Sequence, residues 1–333
     1  IDLVGSLLAR PFPAAGHGDN QGLEFDGIVL TGGCALNVLV NSAVARAFPH
    51  LPVYVAAAPS DCGLAVGMAW SLVPPTPRPL QGTGGAATGQ DFQTPLAYLG
   101  WPLFDRHLVD DLAFRLGAID LEGGRAACGS EEEVDLRANQ TRGQVCFPGV
   151  ELLATLLADQ QIIGVVRGNS EHGPRALGHR SLLAVPSSGM KERLNALKAR
   201  EWYRPVAPMV TEEEAEDIFI WDSPGHPPRA PYMSFAPLLK PHVSVALPAI
   251  SHFDCTARQQ TVGSTGEPWL HALLQTVKSR TGWAVLINTS FNTKGHPILN
   301  SAQEALELLR DIEQLDFVLI ENWLFSKETV EAL

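Results

Sequence analysis

The residues best suited to chemistry lie in one short stretch, Glu171–Ser181, which reads E-H-G-P-R-A-L-G-H-R-S. Its glycines and proline restrict the backbone to shapes that few other residues permit. Arg175 and Arg180 add two planar guanidinium groups, which can bind phosphate or carboxylate through paired hydrogen bonds. The stretch is therefore predicted to be a rigid anion-binding loop.

A second group of cations follows at Lys198, Arg200 and Arg204, beside the aromatic residues Trp202 and Tyr203. On a continuous helix, Lys198 and Arg200 would point in different directions. They act together only if the helix ends there or the segment is extended, and the proline after Arg204 favours extended backbone. The alternative is a solvated basic helix end, which fits poorly with the neighbouring aromatic residues.

These cations are unusual because the protein as a whole is acidic, with a formal net charge of −12. Residues 165–204 contain eight Lys or Arg and three Asp or Glu, a local excess of positive charge. The acidic total argues against general nucleic-acid binding and against binding to an acidic membrane surface. The local excess predicts a focused site for a small anion.

Polar residues also follow two of the predicted strands. Asn288-Thr-Ser-Phe-Asn292 comes directly after an apolar run, where the carboxyl end of a strand often faces a ligand. A turn that caps the strand is an equally good interpretation.

In T-G-G-C-A-L-N, Gly32 and Gly33 lie between a strand and a helix, where backbone N–H groups favour an anion. On spacing alone, a tight turn explains these glycines better. Asp61 is either the N-cap of the next helix or a metal ligand.

The organisation of the chain predicts two folded regions. Strands at 26–31 and 53–57 and helices at 35–47 and 63–72 form a β-α-β-α run, typical of an α/β fold. A stretch rich in Pro, Gly, Thr and Gln then indicates a linker. The second region is predicted to be α+β, with helices at 107–116, 150–158, 190–199, 211–219, 269–278 and 302–312, strands at 162–167, 284–288 and 317–320, and a polar loop at 122–143.

Other features restrict the class of protein. No apolar run is long enough to span a bilayer, and the 45% hydrophobic content is ordinary for a globular protein. The five cysteines form no C-x-x-C pair, which favours reduced thiols and a cytoplasmic location. No histidines form an H-x-x-x-H pair, and Walker and G-x-S-x-G motifs are absent. The pair His252 and Asp254 is interpreted as a structural hydrogen bond because metal ligation would need a third ligand.

Taken together, these segments resemble the O-carbamoyltransferases of nodulation-factor and antibiotic biosynthesis. The resemblance rests on six motifs that occur in the family's order: T-G-G-C-A-L-N, S-D-C-G-L-A-V-G, E-H-G-P-R-A-L-G-H-R-S, N-A-L-K-A-R-E-W-Y-R-P-V-A-P, H-F-D-C-T-A-R-Q-Q-T-V and N-T-S-F-N-T-K-G-H-P-I. They cover most of the chain from residue 26 to about residue 327.

The resemblance implies a fold and a domain division. Residues 1–75 would be the remnant of an actin/hexokinase-like (ASKHA) domain, residues 76–95 a linker, and residues 96–333 a YrdC-like domain. Carbamoyl phosphate and ATP would form a carbamoyl-adenylate in the YrdC-like domain. The ASKHA-like domain would then pass the carbamoyl group to a hydroxyl of a small-molecule acceptor, with release of AMP. Neither a nucleic acid nor a membrane is expected as a partner.

The resemblance also implies roles for individual residues. The family's K-x-R and S-x-N motifs match the four residues expected to be catalytic, Lys198, Arg200, Ser290 and Asn292. Binding of ATP and carbamoyl phosphate would fall to Arg175, Arg180, Arg204, Gly32, Gly33 and Asn37. Asp61 matches a position that ligates a divalent metal in the family, expected to be iron, while Mg²⁺ could accompany ATP.

One departure from the family pattern concerns the amino-terminal side. Only residues 1–25 precede the first matching strand, whereas family members have a long stretch there that carries paired histidines of the metal site. We therefore expect a truncated member, in which adenylate formation survives better than carbamoyl transfer. Two alternatives stay open: a tRNA threonylcarbamoyl-type modification enzyme, which the acidic charge disfavours, and a non-catalytic nucleotide-binding fragment.

Overall fold

The computed structural model of the protein describes residues 2, 5, 25–74, 95–123, 125–126, 147, 149–221 and 229–331. Almost all of the predicted linker at 76–95 and most of the predicted polar loop at 122–143 lie outside these residues. Within the described ranges, no helix is both long and apolar enough to cross a membrane.

The first region is a β-α-β-α unit, as the sequence predicts. It consists of β1 (Ile28–Leu30), α1 (Val38–Ala47), β2 (Val53–Val55) and α2 (Leu64–Leu72). The two strands are parallel, with Ile28 opposite Val53. Helix α1 begins later than the predicted residue 35 because residues 33–36 form a 3₁₀ turn and Asn37 is the N-cap.

The second region contains the remaining elements. Its strands are β3 (Ile119–Asp120), β4 (Arg125–Ala126), β5 (Ile163–Val166), β6 (Arg180–Ala184), β7 (Ala207–Thr211), β8 (Phe219–Ile220), β9 (Leu238–Leu239), β10 (Gln260–Val262), β11 (Val285–Ser290), β12 (Phe317–Ile320) and β13 (Trp323–Ser326). Its helices are α3 (Val109–Leu116), α4 (Val150–Ala158), α5 (Met190–Leu197), α6 (Glu212–Ile218), α7 (Pro241–Ala246), α8 (Pro268–Thr281), α9 (Ala302–Asp311) and α10 (Lys327–Val330).

Nine of these strands form one mixed sheet in the order β10-β7-β11-β6-β5-β12-β13-β3-β4. β7 pairs in parallel with β10, and β5 pairs in parallel with β12. The other neighbours are antiparallel, including β11 with β6, where Ser290 lies opposite Ser181. The carboxyl end of β11 therefore lies beside the start of β6, where the Glu171–Ser181 segment ends.

Both faces of this sheet are buried beneath helices. On one face, α4 and α8 pack over alternate strand residues such as Val165 and Leu286. On the other face, α3, α5, α6 and α9 pack over residues such as Val166 and Ile287. Because neighbouring strand residues point to opposite faces, strands covered on both sides read as continuous apolar runs. The mixed α/β architecture follows the expected fold class, while the ASKHA and YrdC-like assignments and the domain division stay predictions.

The first unit packs on the second region through one face of α1. The fully buried Asn41 donates hydrogen bonds from Nδ2 to the carbonyl oxygens of Ala35 (2.7 Å) and Ser234 (2.9 Å). Ser42 Oγ accepts a hydrogen bond from the Ala236 N–H at 2.9 Å. Polar contacts of this kind are directional, so they fix how the two parts are oriented.

The structure corrects one sequence expectation that matters for the site. The segment Glu171–Ser181 is not a loop throughout, because Arg180 and Ser181 are the first residues of β6. Of the strands in the second region, the sequence predicted β5, β11 and β12, and the others were absent from the prediction.

Candidate anion-binding active site

Helix α5 ends immediately before Lys198, which meets the condition under which Lys198 and Arg200 were predicted to act together. The helix ends at Leu197, and Ala199 adopts a left-handed conformation with φ of 49°. The N–H of Arg200 donates to the Asn195 carbonyl (3.0 Å), and the N–H of Ala199 donates to the Ala196 carbonyl (2.9 Å). This pair of hydrogen bonds is the Schellman motif, which reverses the chain direction immediately after a helix.

Lys198 reaches the predicted S-x-N motif at the carboxyl end of β11. Its Nζ lies 2.5 Å from the Ser290 carbonyl oxygen and 3.2 Å from Ser290 Oγ. The same atom lies 2.9 Å from the Asn292 carbonyl oxygen and 2.7 Å from Asn292 Oδ1. Ser290 Oγ in turn donates to Asn292 Oδ1 at 2.7 Å. The structure thus brings Lys198 together with Ser290 and Asn292, which lie 92 and 94 residues later in the sequence.

The environment of Lys198 disfavours its positive charge. Its side chain is buried, and burial together with the positive charge of Arg200 lowers the pKa of Lys198 to about 7. Burial lowers the pKa of an amine because the ammonium form loses its hydration. The surrounding oxygen atoms hold the amine in place, and a bound anion would favour the charged form.

Three arginines form the cationic part of the site, namely Arg175, Arg200 and Arg258. Burial and the charges of Arg175 and Arg200 lower the pKa of Arg258 to about 10, so Arg258 lies within electrostatic range of both of these guanidinium groups. In the described part of the chain, neither Arg175 nor Arg258 has an ion-pair partner. Like charges gathered in one place are unfavourable in the free protein, and a bound dianion would relieve that repulsion.

Arg204 lies at the edge of this cluster and is already paired. Its Nε contacts Glu201 Oε2 at 2.8 Å, and Lys294 Nζ contacts the other oxygen of the same carboxylate at 3.0 Å. The pKa of Glu201 is lowered to about 2 by hydrogen bonds from the Glu201 backbone and from Lys294. The predicted role of Arg204 in binding ATP or carbamoyl phosphate would require exchange with this carboxylate.

The Glu171–His179 loop carries Arg175 on a rigid frame. Glu171 Oε1 accepts hydrogen bonds from the N–H groups of Leu177 (2.7 Å) and His179 (2.8 Å). Gly173 and Gly178 have φ values of 131° and 123°, a region that only glycine adopts readily. A Cβ on Gly173 would lie 2.6 Å from the Ala57 carbonyl oxygen, so this loop also contacts the first unit closely.

Arg180 does not join the cationic cluster, which is a correction to its predicted role in anion binding. Its side chain is fully buried, with Nε donating to Asn300 Oδ1 at 3.0 Å. Nη1 donates to the carbonyl oxygens of Arg167 and His179, and Nη2 donates to that of Gly168. Because the guanidinium is used to hold surrounding backbone, its role in this structure is structural.

The predicted residues of the first unit lie at the carboxyl ends of β1 and β2. The Gly32 N–H donates to the Pro59 carbonyl at 2.6 Å, which joins the glycine turn to the loop before Asp61. A Cβ on Gly32 or Gly33 would meet no other atom within 4 Å, so the space in front of both glycines is open. Asn37 Oδ1 caps α1 by accepting from the N–H groups of Leu39 and Val40.

Asp61 does not constitute a metal site in the described part of the chain. Its side chain is exposed at the start of a 3₁₀ turn that leads into α2. Among the described residues there is no group of three or more His, Cys, Asp or Glu side chains that could hold a metal ion. A single carboxylate is too few ligands for iron, so the residues present do not fit the metal that the resemblance implies.

Arg258 is the site residue that the sequence did not predict. Its motif drew attention only for a His/Asp pair, and the structure explains that pair as a turn. Asp254 Oδ1 accepts from Thr256 Oγ1 at 2.7 Å, and His252 Nδ1 lies 2.9 Å from the same hydroxyl. A signal did exist, because Arg258 directly precedes a buried strand. An arginine in such a position is rarely buried unless it has a partner or a ligand.

The comparisons with protein families and with known sequences indicate one family. A family described as "Carbamoyltransferase C-terminus" matches residues 154–327, a little over half of the chain. The nodulation protein NolNO of Sinorhizobium fredii is 33% identical over 303 residues, which cover 90% of this chain and 40% of that protein. Nodulation protein U of Rhizobium tropici is 32% identical over 307 residues, covering 92% and 44% respectively. The chain thus spans less than half the length of these relatives.

Solved structures show a partial likeness. Full-length HypF in its phosphate- and nucleotide-bound form aligns with 53% of this chain and 25% of its own, at 16% identity and a TM-score of 0.33. A doubly substituted variant of P. abyssi Sua5 aligns with 52% of this chain and 50% of its own, at 12% identity and a TM-score of 0.33.

Proposed function

The chain belongs to the carbamoyltransferase family, and on that premise we propose that it is an O-carbamoyltransferase that activates carbamoyl phosphate with ATP. In the proposed reaction, water cleaves carbamoyl phosphate to carbamate and phosphate. A carbamate oxygen then displaces pyrophosphate from the α-phosphorus of ATP, which gives a carbamoyl-adenylate. Finally, a hydroxyl of a small-molecule acceptor takes the carbamoyl group, and AMP is released.

The observation that carries this proposal is the placement of Lys198 between the S-x-N motif and the arginine cluster. Phosphate groups bring dense negative charge, and unpaired guanidinium groups in a partly buried site are well suited to bind it. Lys198 and the arginines would also stabilise the charge that develops as pyrophosphate leaves. Ser290 and Asn292 offer hydroxyl and amide groups that match the small, planar carbamoyl group.

We propose that the acceptor binds at the first unit, and no step of the proposed reaction uses a metal. Gly32 and Gly33 leave open space at the carboxyl ends of β1 and β2, where a ligand can approach the backbone closely. The close contact between Gly173 and Ala57 places the Arg175 loop against the same unit. The acceptor is proposed to be a hydroxyl of a secondary metabolite or sugar, because the motifs of this chain resemble those of the O-carbamoyltransferases of nodulation-factor and antibiotic biosynthesis.

The proposal is tested by measuring pyrophosphate release from ATP by the purified chain, with and without carbamoyl phosphate. We expect release that depends on carbamoyl phosphate. Lys198→Ala should lower it at least about 100-fold, because one preorganised cation at a developing charge contributes on this scale. Lys191→Ala, at the start of the same helix, is the control and should retain the activity. Equal rates with and without carbamoyl phosphate would reject the proposed chemistry.

A further inference from the structure

Asn195 is a buried polar residue next to the site that no step so far has used. It lies on α5, and only 1% of the residue is exposed. Asparagine is a poor helix former, and its buried amide costs free energy unless both of its polar atoms are hydrogen bonded. An apolar residue would fill such a helix position at lower cost, so the amide calls for a specific explanation.

The amide of Asn195 is fully used, and its partners are all in the turn that follows α5. Nδ2 donates to the carbonyl oxygens of Trp202 (2.9 Å) and Arg204 (3.0 Å). Oδ1 accepts from Arg200 Nε at 2.5 Å. The backbone carbonyl of Asn195 also accepts from the Arg200 N–H, so one residue holds both the backbone and the side chain of Arg200.

Arg200 itself has a donor left over. Its Nη2 is buried and has no hydrogen-bond partner among the described residues. A buried, unpaired N–H group of a guanidinium is costly, and it indicates an acceptor that comes from outside the protein. The neighbouring Arg258 adds positive charge rather than an acceptor. An anion bound between the arginines would satisfy this donor.

We propose that Asn195 is a positioning residue. It holds the Nε of Arg200, so that the outer nitrogens of this guanidinium face the phosphate group of bound carbamoyl phosphate. By bonding Trp202 and Arg204 at the same time, it keeps the turn from carrying Arg200 away from Lys198. This inference rests on the proposed function because it takes carbamoyl phosphate as the anion that Arg200 meets.

The test is a double-mutant cycle on carbamoyl phosphate binding by the full chain, measured by calorimetry. Asn195→Ala should weaken binding about tenfold, since a charge-assisted hydrogen bond depends on the geometry that the amide sets. In the Arg200→Ala background, the same substitution should change the affinity little, because the group that Asn195 positions is already gone. The unfolding midpoint of each variant is measured alongside.

An equal loss of affinity in both backgrounds would overturn the proposal, since it would mean that Asn195 only stabilises the fold. If Asn195→Ala does not fold, Asn195→Asp preserves the volume. It should also bind more weakly than the native chain, with a loss that largely disappears in Arg200→Ala. A native chain that binds no carbamoyl phosphate would overturn the proposed function and this inference together. Binding that is unaffected by both Asn195 variants would overturn the inference alone.

Discussion

At the scale of single residues, the proposed binding of an anion depends on the charge state of Lys198. In the free protein, burial and Arg200 lower the pKa of Lys198 to about 7, so the amine is mostly neutral in mildly alkaline solution. Its four neighbouring oxygen atoms, from Ser290 and Asn292, hold it at the carboxyl end of β11. A phosphate group beside this amine would favour the ammonium form and raise its pKa.

The first prediction follows from that linkage. At pH 8.5, binding of inorganic phosphate should take up protons, approaching about one per site, because the anion restores the charge on Lys198. Affinity should therefore fall as pH rises above about 7, the pKa of the free amine. Calorimetry in two buffers of different ionisation enthalpy measures the uptake. Lys198→Met is the control, and equal uptake by both proteins would contradict the assigned pKa.

Sequence patterns predicted part of this residue-scale picture and missed the rest. The spacing of Lys198 and Arg200 predicted that they act together only where a helix ends or the segment is extended, and α5 does end at Leu197. The motif resemblance supplied the roles of Ser290 and Asn292, because the pattern alone left a strand end that faces a ligand and a capping turn as equally good interpretations. Anion binding was predicted for Arg180 because the sequence does not distinguish an arginine that hydrogen bonds to buried backbone from one that binds a ligand. Only the three-dimensional contacts distinguish them.

At the scale of elements, the loop that carries Arg175 is held by close backbone packing. Gly178 lies against the fully buried Leu270 of α8, and its φ of 123° is unfavourable for any side chain. A Cβ added to Gly178 would overlap with Leu270 Cδ1. There is therefore no room for a side chain between Gly178 and α8.

Gly178→Ala should lower the free energy of unfolding by about 2–4 kcal/mol, the combined cost of backbone strain and overpacking. Urea denaturation measures this change. Gly189→Ala is a matched control because Gly189 also has positive φ, 79°, but a Cβ there meets no atom within 4 Å. Gly189→Ala should cost about 1–2 kcal/mol, from backbone strain alone. Equal costs at the two positions would show that the contact with Leu270 is unimportant.

The elements differed in how well the sequence predicted them. Helix α4 (Val150–Ala158) and strand β12 (Phe317–Ile320) have the predicted bounds, because apolar runs of clear length leave little ambiguity. Strand β7 was missed because Pro208 lies within it, although it pairs with strands on both sides. Prolines normally argue against a central strand. Strand β6 was missed because it begins with Arg180, whose burial depends on its distant partners.

At the scale of the whole molecule, the two regions must keep a fixed orientation if they share a reaction. Asn41 and Ser42 of α1 hydrogen bond to the segment around Ser234 and Ala236. A small apolar cluster that includes Val55 and Phe235 packs beside these bonds. The β1-β2 unit is thus attached to the larger sheet by specific contacts.

Asn41→Ala should weaken this attachment, because it leaves the carbonyl oxygens of Ala35 and Ser234 buried without their donor. The expected loss in unfolding free energy is about 2 kcal/mol. Limited proteolysis should then cleave the first unit sooner than in the native protein, while urea denaturation reports the stability. Val40→Ala, at an exposed position of the same helix, should leave both unchanged. Identical cleavage of the native and Asn41→Ala proteins would argue against the attachment.

The central claim is that this molecule makes a carbamoyl-adenylate at the Lys198 site. The most direct measurement is mass spectrometry of the products formed from ATP and ¹³C-labelled carbamoyl phosphate. The account predicts a labelled carbamoyl-adenylate with the native chain, and none above background with Lys198→Ala. A native chain that forms no labelled adenylate, or a Lys198→Ala chain that forms as much as the native one, would contradict it.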